Sequence, residues 1–189
     1  MNHKHWQSGS ENDNERTTHH DIRNLITELQ LSPNILSLFD GNCTNQIMKD
    51  YHFDKDYQDP WAILNLKKTQ QDTYLIHRYK PILAYTHSKI FAYDSKLNGY
   101  TSYYIEEKMT EAQHCFTWDG IFITEILRWW EYEISDQDII NIGNFFGLKH
   151  TLEILDSINE TTKGEGFSTQ PEIDDWKNRM ITAINGKIQ

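Results

Sequence analysis

Two strand-type segments constrain this chain more than anything else in it. Lys89-Ile90-Phe91-Ala92-Tyr93-Asp94 and Tyr100-Thr101-Ser102-Tyr103-Tyr104-Ile105 are rich in aromatic and β-branched residues, and only a turn over 95–99 separates them. Such residues suit a pleated surface with one face buried. Asn98-Gly99 accepts the positive φ that tight turns demand, so the two segments predict an antiparallel pair closed by a loop longer than the shortest hairpin. Upstream, Thr73-Tyr74-Leu75-Ile76 reads as a strand, and Pro81 starts another apolar stretch to Tyr85. On both sides of this block the apolar period becomes helical. The expected fold class is therefore α+β: a twisted antiparallel sheet backed by helices, with extra helices toward the C-terminal end.

The helical punctuation is specific. Asp21 is the expected N-cap of a first helix carrying Ile22, Leu25, Ile26 and Leu29. Ser32 caps a second, with Pro33 at its first position, and Asp40-Gly41-Asn42 ends it. Residues 50–60 read as a loop with Asp54, Asp56, Asp59 and Pro60, followed by a short apolar segment at Trp61. After Thr117, the residues Ile121, Phe122, Ile126, Leu127, Trp130 and Ile134 mark one face of a helix beginning near Asp119. Ser135 caps the next helix, with Asp138 three residues on and Gly147 as its stop. Further helices are expected over 149–158 and from Pro171 to Ile184. The division that follows is a disordered tail over 1–20, one α+β domain over 21–160, a Gly/Ser/Thr linker over 161–170 and a C-terminal helix over 171–186.

Composition narrows function. With 28 acidic against 18 basic residues the formal charge is −10, which opposes nucleic-acid binding because phosphate needs Lys and Arg to neutralise it. The same field draws basic partners in. The 24 aromatic residues (10 Tyr, 8 Phe, 6 Trp) supply a ring-built core, each ring burying roughly 150–250 Å². Cys43 and Cys115 are too few for a disulfide framework, and the N-terminal residues to Asp21 hold no apolar run of signal length. No segment approaches the roughly 20 apolar residues of a membrane span, so a cytoplasmic protein without membrane contact is expected.

No cofactor or metal is expected either. The nine histidines show no helical zinc spacing, and the acidic loop over 54–59 lacks the glycine and distant glutamate of a calcium loop. There is no nucleophile elbow, phosphate loop or dinucleotide fingerprint, and His114 beside Cys115 is adjacency in sequence rather than a dyad. The expectation is a protein that is not an enzyme, with no catalytic residues. Arg128-Trp129-Trp130-Glu131-Tyr132-Glu133 points instead to recognition. Adjacent helical residues lie about 100° apart, so one tryptophan must approach the edge of the buried face. Aromatic residues rimmed by charge are the material of protein-binding hot spots. The partner-binding candidates are Glu106, Glu107, Trp129, Glu131 and Glu133.

The order of these elements resembles the SUKH superfamily of bacterial immunity proteins and eukaryotic cell-wall regulators. The similarity lies in Glu28-Leu29-Gln30-Leu31-Ser32-Pro33-Asn34 running to Phe39-Asp40-Gly41-Asn42, in Trp61, in Ile90-Phe91-Ala92-Tyr93-Asp94, in Asn98-Gly99 with Tyr100 to Ile105, and in the helix from Ile121 to Trp130. It covers about residues 22–133. The family's Asn-Gly step is inverted here to Gly41-Asn42, and the helical material past Ser135 is longer than a minimal member needs. The resemblance implies an antiparallel sheet backed by helices and a binding role, in which the protein occupies a cognate toxin, often a nuclease with a basic surface. A regulatory or scaffold protein of the same fold without a toxin partner is the alternative, and an enzyme of unknown class ranks third.

Overall fold

Capping side chains set where the helices begin. In the computed structural model, which describes residues 16–51, 63–85, 88–105, 107 and 114–185, α1 (His19–Glu28) starts earlier than Asp21. Thr18 is its N-cap: Thr18 Oγ1 accepts from the Asp21 N–H, and Asp21 Oδ2 accepts from the Thr18 N–H. Thr17 is buried and donates its N–H to Gln71 Oε1, so the expected boundary after residue 20 falls inside the fold. The rest of the expected tail, residues 1–15, lies outside the described residues. The expected cap at Ser32 is in place: α2 (Pro33–Phe39) carries Pro33 at its start, and Ser32 Oγ accepts from the Asn34 N–H. Two short helices follow, α3 (Gln46–Asp50) and α4 (Lys68–Thr73). The acidic loop over 54–59 and Trp61 lie outside the described residues.

The expected strand over Thr73–Ile76 is instead the end of α4 and a turn. Leu75 has a φ of 50°, and the Ile76 N–H returns to the Gln71 carbonyl. The buried Gln71 amide explains the choice. It bonds Thr17 and lies within hydrogen-bond reach of the carbonyls of Ile63 and Leu64, holding the chain curled while Ile76 turns into the core. A four-residue run of β-branched and aromatic side chains cannot register that constraint.

The sheet is β1 (Tyr79–Tyr85), β2 (Lys89–Asp94) and β3 (Gly99–Tyr104), antiparallel in the order β1-β2-β3. Ile90 faces Tyr103 and Ala92 faces Thr101 across the expected pair. Register slips between Pro81 and Leu83, where proline has no N–H for the ladder and an edge strand tolerates it. Asp94 clamps the β1–β2 ribbon at its far end: it receives Arg78 Nε at 2.9 Å and Nη2 at 2.7 Å, plus the N–H groups of Lys96 and Leu97.

One helix, α5 (Trp118–Glu131), lies at the centre of the molecule. Phe122 stacks on Phe91 of β2 with ring centroids 4.8 Å apart, and on Phe146 at 5.2 Å. Behind it pack α6 (Asp136–Phe146), α7 (Thr151–Thr162) and α8 (Gln170–Asn185). Ser135 and Gly147 bound α6 as expected, Gly147 taking the left-handed φ of 71° that glycine adopts without cost. Gly143 permits α6 and α7 to touch, since a Cβ there would stand 2.1 Å from Thr151 Oγ1. Finally α8 buries Trp176, Met180 and Ile184 against the core, so the last helix is part of the body of the protein. Its Asn185 Oδ1 accepts the Thr117 N–H at the start of α5. The class is α+β, with the extra C-terminal helices present.

Candidate protein-recognition surface

The sequence places a lysine at the first position of β2 and a glutamate on the sheet-facing side of α5, and the fold buries both. Glu125 is 0% exposed and accepts from Lys89 Nζ on one oxygen and from Arg128 Nη1 at 3.1 Å on the other. Lys89 Nζ also lies over the rings of Phe91 and Tyr104, at 5.3 and 5.8 Å from their centroids. Arg128 reaches outward from this knot. Burial alone would lower its pKa, but Glu125 and a hydrogen bond with Tyr104 outweigh that and hold the guanidinium above its ordinary value. Trp129 Nε1 donates to Tyr85 Oη at 3.1 Å, and burial of that phenol pushes its pKa up.

Past this braced layer the stripe of α5 that faces the sheet continues as Trp118, Phe122, Glu125, Trp129 and then Tyr132. Beyond the sheet's end no described residue buries it, and Tyr132 is 71% exposed. Tyr104, at the end of β3, is 36% exposed. The exposed Glu107 joins the same end through its N–H, which donates to the Tyr104 carbonyl at 3.0 Å. Glu131 and Glu133 are exposed at the C-terminus of α5, where Glu133 takes a φ of 59° to end the helix. Carboxylates at a helix C-terminus oppose the macrodipole, typically by about 0.3–1 kcal/mol each, so this choice is not one that helix stability dictates.

Of the five candidates, then, Glu107, Glu131 and Glu133 are exposed near one end of the molecule, and Glu106 lies outside the described residues. Trp129 must be corrected: it is 1% exposed, wedged between Tyr85 and Phe122, and offers nothing to a partner. The edge tryptophan is Trp130, half-buried and donating to Asn159 Oδ1 at 3.1 Å. The expected apolar face of α5 failed to separate the two because helices and sheet cover this helix almost all round. Tyr104, Tyr132 and Arg128 were missed. The i, i+4, i+7 spacing from Glu125 through Trp129 to Tyr132 was the signal for Tyr132.

Among the described residues no three His, Cys, Asp or Glu side chains are placed to hold a metal ion, and no helix is long and apolar enough to cross a membrane. Burial pushes the Cys115 thiol up, away from the reactive thiolate. No protein family, curated protein or solved structure matches the chain.

Proposed function

We propose that the chain is a non-enzymatic binding protein that neutralises a basic protein toxin, in the manner of an immunity protein, by docking the end of the molecule that carries Tyr104 and Tyr132. The observation that carries this is the exposed Tyr132 set between Glu131 and Glu133 on a base held by the Lys89–Glu125–Arg128 knot. Tyrosine supplies contact area with little conformational freedom to lose, and rigid support lowers the ordering cost of binding. The carboxylates pair with Lys and Arg of a partner, and the net charge of −10 speeds their encounter. The resemblance of residues 90–105 to the SUKH pattern supports the same role.

The test is capture from the source cell at low and high salt, followed by rebinding of the purified partner and by a co-expression survival assay. A basic toxin bound by the wild-type chain, and bound at least about tenfold more weakly after Glu131→Lys with Glu133→Lys, is the expected result. Unchanged affinity in that double variant removes this end from the interface, and survival unaffected by co-expression refutes neutralisation.

A further inference from the structure

At the other end of α5, roughly 20 Å away by helical rise, five segments distant in sequence enclose a cleft of ≈ 340 Å³. They are the α1–α2 turn, β3, the first turn of α5, the α6–α7 turn and the end of α8. Asp119 lies in its wall and is only 8% exposed. Its Oδ1 accepts the N–H groups of Lys149 at 2.6 Å and His150 at 2.7 Å, which fixes the carboxylate in place. Among the described residues Oδ2 has no hydrogen-bond partner, and it keeps its contact with solvent through the cleft.

The aromatic part of the wall is equally fixed. Trp118 donates Nε1 to the Phe146 carbonyl at 3.0 Å, and its ring meets Tyr100 edge-on with centroids 4.9 Å apart. Among the described residues the other charges here are few. His150 is paired with Glu153 at 2.9 Å, and Lys149 stands exposed on the rim without an ion pair among the described residues. The N-termini of α5 and α7 also point here, but each is answered within the fold, the former by Thr117 Oγ1, which accepts the Gly120 N–H at 2.7 Å, and the latter by Asp119 Oδ1.

We propose that this cleft binds a guanidinium group, its N–H donors on Asp119 Oδ2 and its plane against one of the two rings, Trp118 or Tyr100. A free carboxylate oxygen repels an anion. Between cations, the guanidinium is the more weakly hydrated, stacks on aromatic rings and presents paired donors, which suits a half-apolar cleft better than an ammonium does. The group comes either from an arginine side chain or from a free small molecule. The site stands apart from the Tyr132 surface and does not depend on it.

The test titrates the isotope-labelled full chain with agmatine and with N-acetylarginine methylamide, following the Trp118 indole N–H by NMR. Saturable shifts are expected for a guanidinium, with dissociation constants on the order of 1–10 mM for ligands this small. Tighter binding of the capped arginine assigns the site to a side chain, and tighter binding of agmatine to a free molecule. Asp119→Asn keeps an oxygen for the two backbone N–H groups and should lose at least about tenfold in affinity with the fold intact. Lys149→Ala, which removes a like charge from the rim, should tighten binding. No saturable shift with either compound, an equal shift with uncharged propylurea, or weaker binding after Lys149→Ala overturns the proposal.

Discussion

Replacing Glu125 with glutamine tests whether the knot beneath the proposed recognition surface holds as described. The substitution keeps the shape and one acceptor oxygen but removes the only carboxylate among the described residues that reaches Lys89, whose side chain is 8% exposed beside a fully buried Glu125. The ring faces of Phe91 and Tyr104 remain near the ammonium, but such contacts are worth about 0.5–1 kcal/mol each and do not replace a counter-ion. Breaking one side of a buried pair costs about 3–5 kcal/mol, and the retained hydrogen bond puts this case near 3. Arg128, 35% exposed, regains water and adds little. For a chain of this size, about 3 kcal/mol corresponds to a fall in Tm of roughly 6–12 °C. Urea unfolding followed by tryptophan fluorescence measures it, with Lys89→Met and the Lys89→Met/Glu125→Gln double variant alongside. The double variant should be more stable than Glu125→Gln, because neither charge is left alone. If Glu125→Gln lies within about 1 kcal/mol of wild type, or if the two single losses simply add, the pair is not a buried unit and the account of the knot fails.

Gly143→Ala should destabilise by about 1–3 kcal/mol in the same assay, since its Cβ runs into Thr151, and Thr151→Ala should recover part of the loss. Tyr103→Phe should leave stability equal or slightly raised, because the buried Tyr103 hydroxyl has no partner among the described residues. In an alkaline absorbance titration, Tyr100 is expected to ionise near pH 12, burial having pushed it up to about 12, and Tyr103 should ionise later still. Burial disfavours the ionised form of both phenols, so stability is unaffected by them below pH 10 and declines as pH rises from there through the folded values. Burial raises the Asp94 pKa, but Arg78 and the N–H groups of Lys96 and Leu97 outweigh it and hold the carboxyl below its ordinary value. Its stabilising contribution is therefore present above pH 3.8 and is lost as pH falls through the folded value, so Asp94→Asn should flatten the acid limb of the stability–pH curve.

What the sequence disclosed was whatever a few neighbouring residues decide. Ser32 with Pro33, Ser135 with Asp138, and Gly147 carry their capping chemistry within one turn, and the β2–β3 pair carries its own alternation and turn. Contacts made over long separations were hidden. Thr17 and Gln71 settle the turn at Leu75 from 54 positions apart, and no local pattern reports that. On α5 periodicity lost its discriminating power because sheet and helices cover both sides, so Trp129 and Trp130 exchanged roles. The acidic rim of the proposed recognition surface was legible as charge, whereas the cleft at Asp119 comes from five segments that meet only in three dimensions.

The bond from the Thr117 N–H to Asn185 has a consequence for biosynthesis. The central helix is finished at its first turn by a side chain 68 residues downstream, and α8 covers one of its apolar flanks. While the chain is still being made, the sheet and α5 can form, yet that flank stays bare until residue 185 has emerged. The nascent protein is thus open to self-association there until α8 has emerged, and a fragment ending at residue 169 should expose the surface that Trp176, Met180 and Ile184 normally shield.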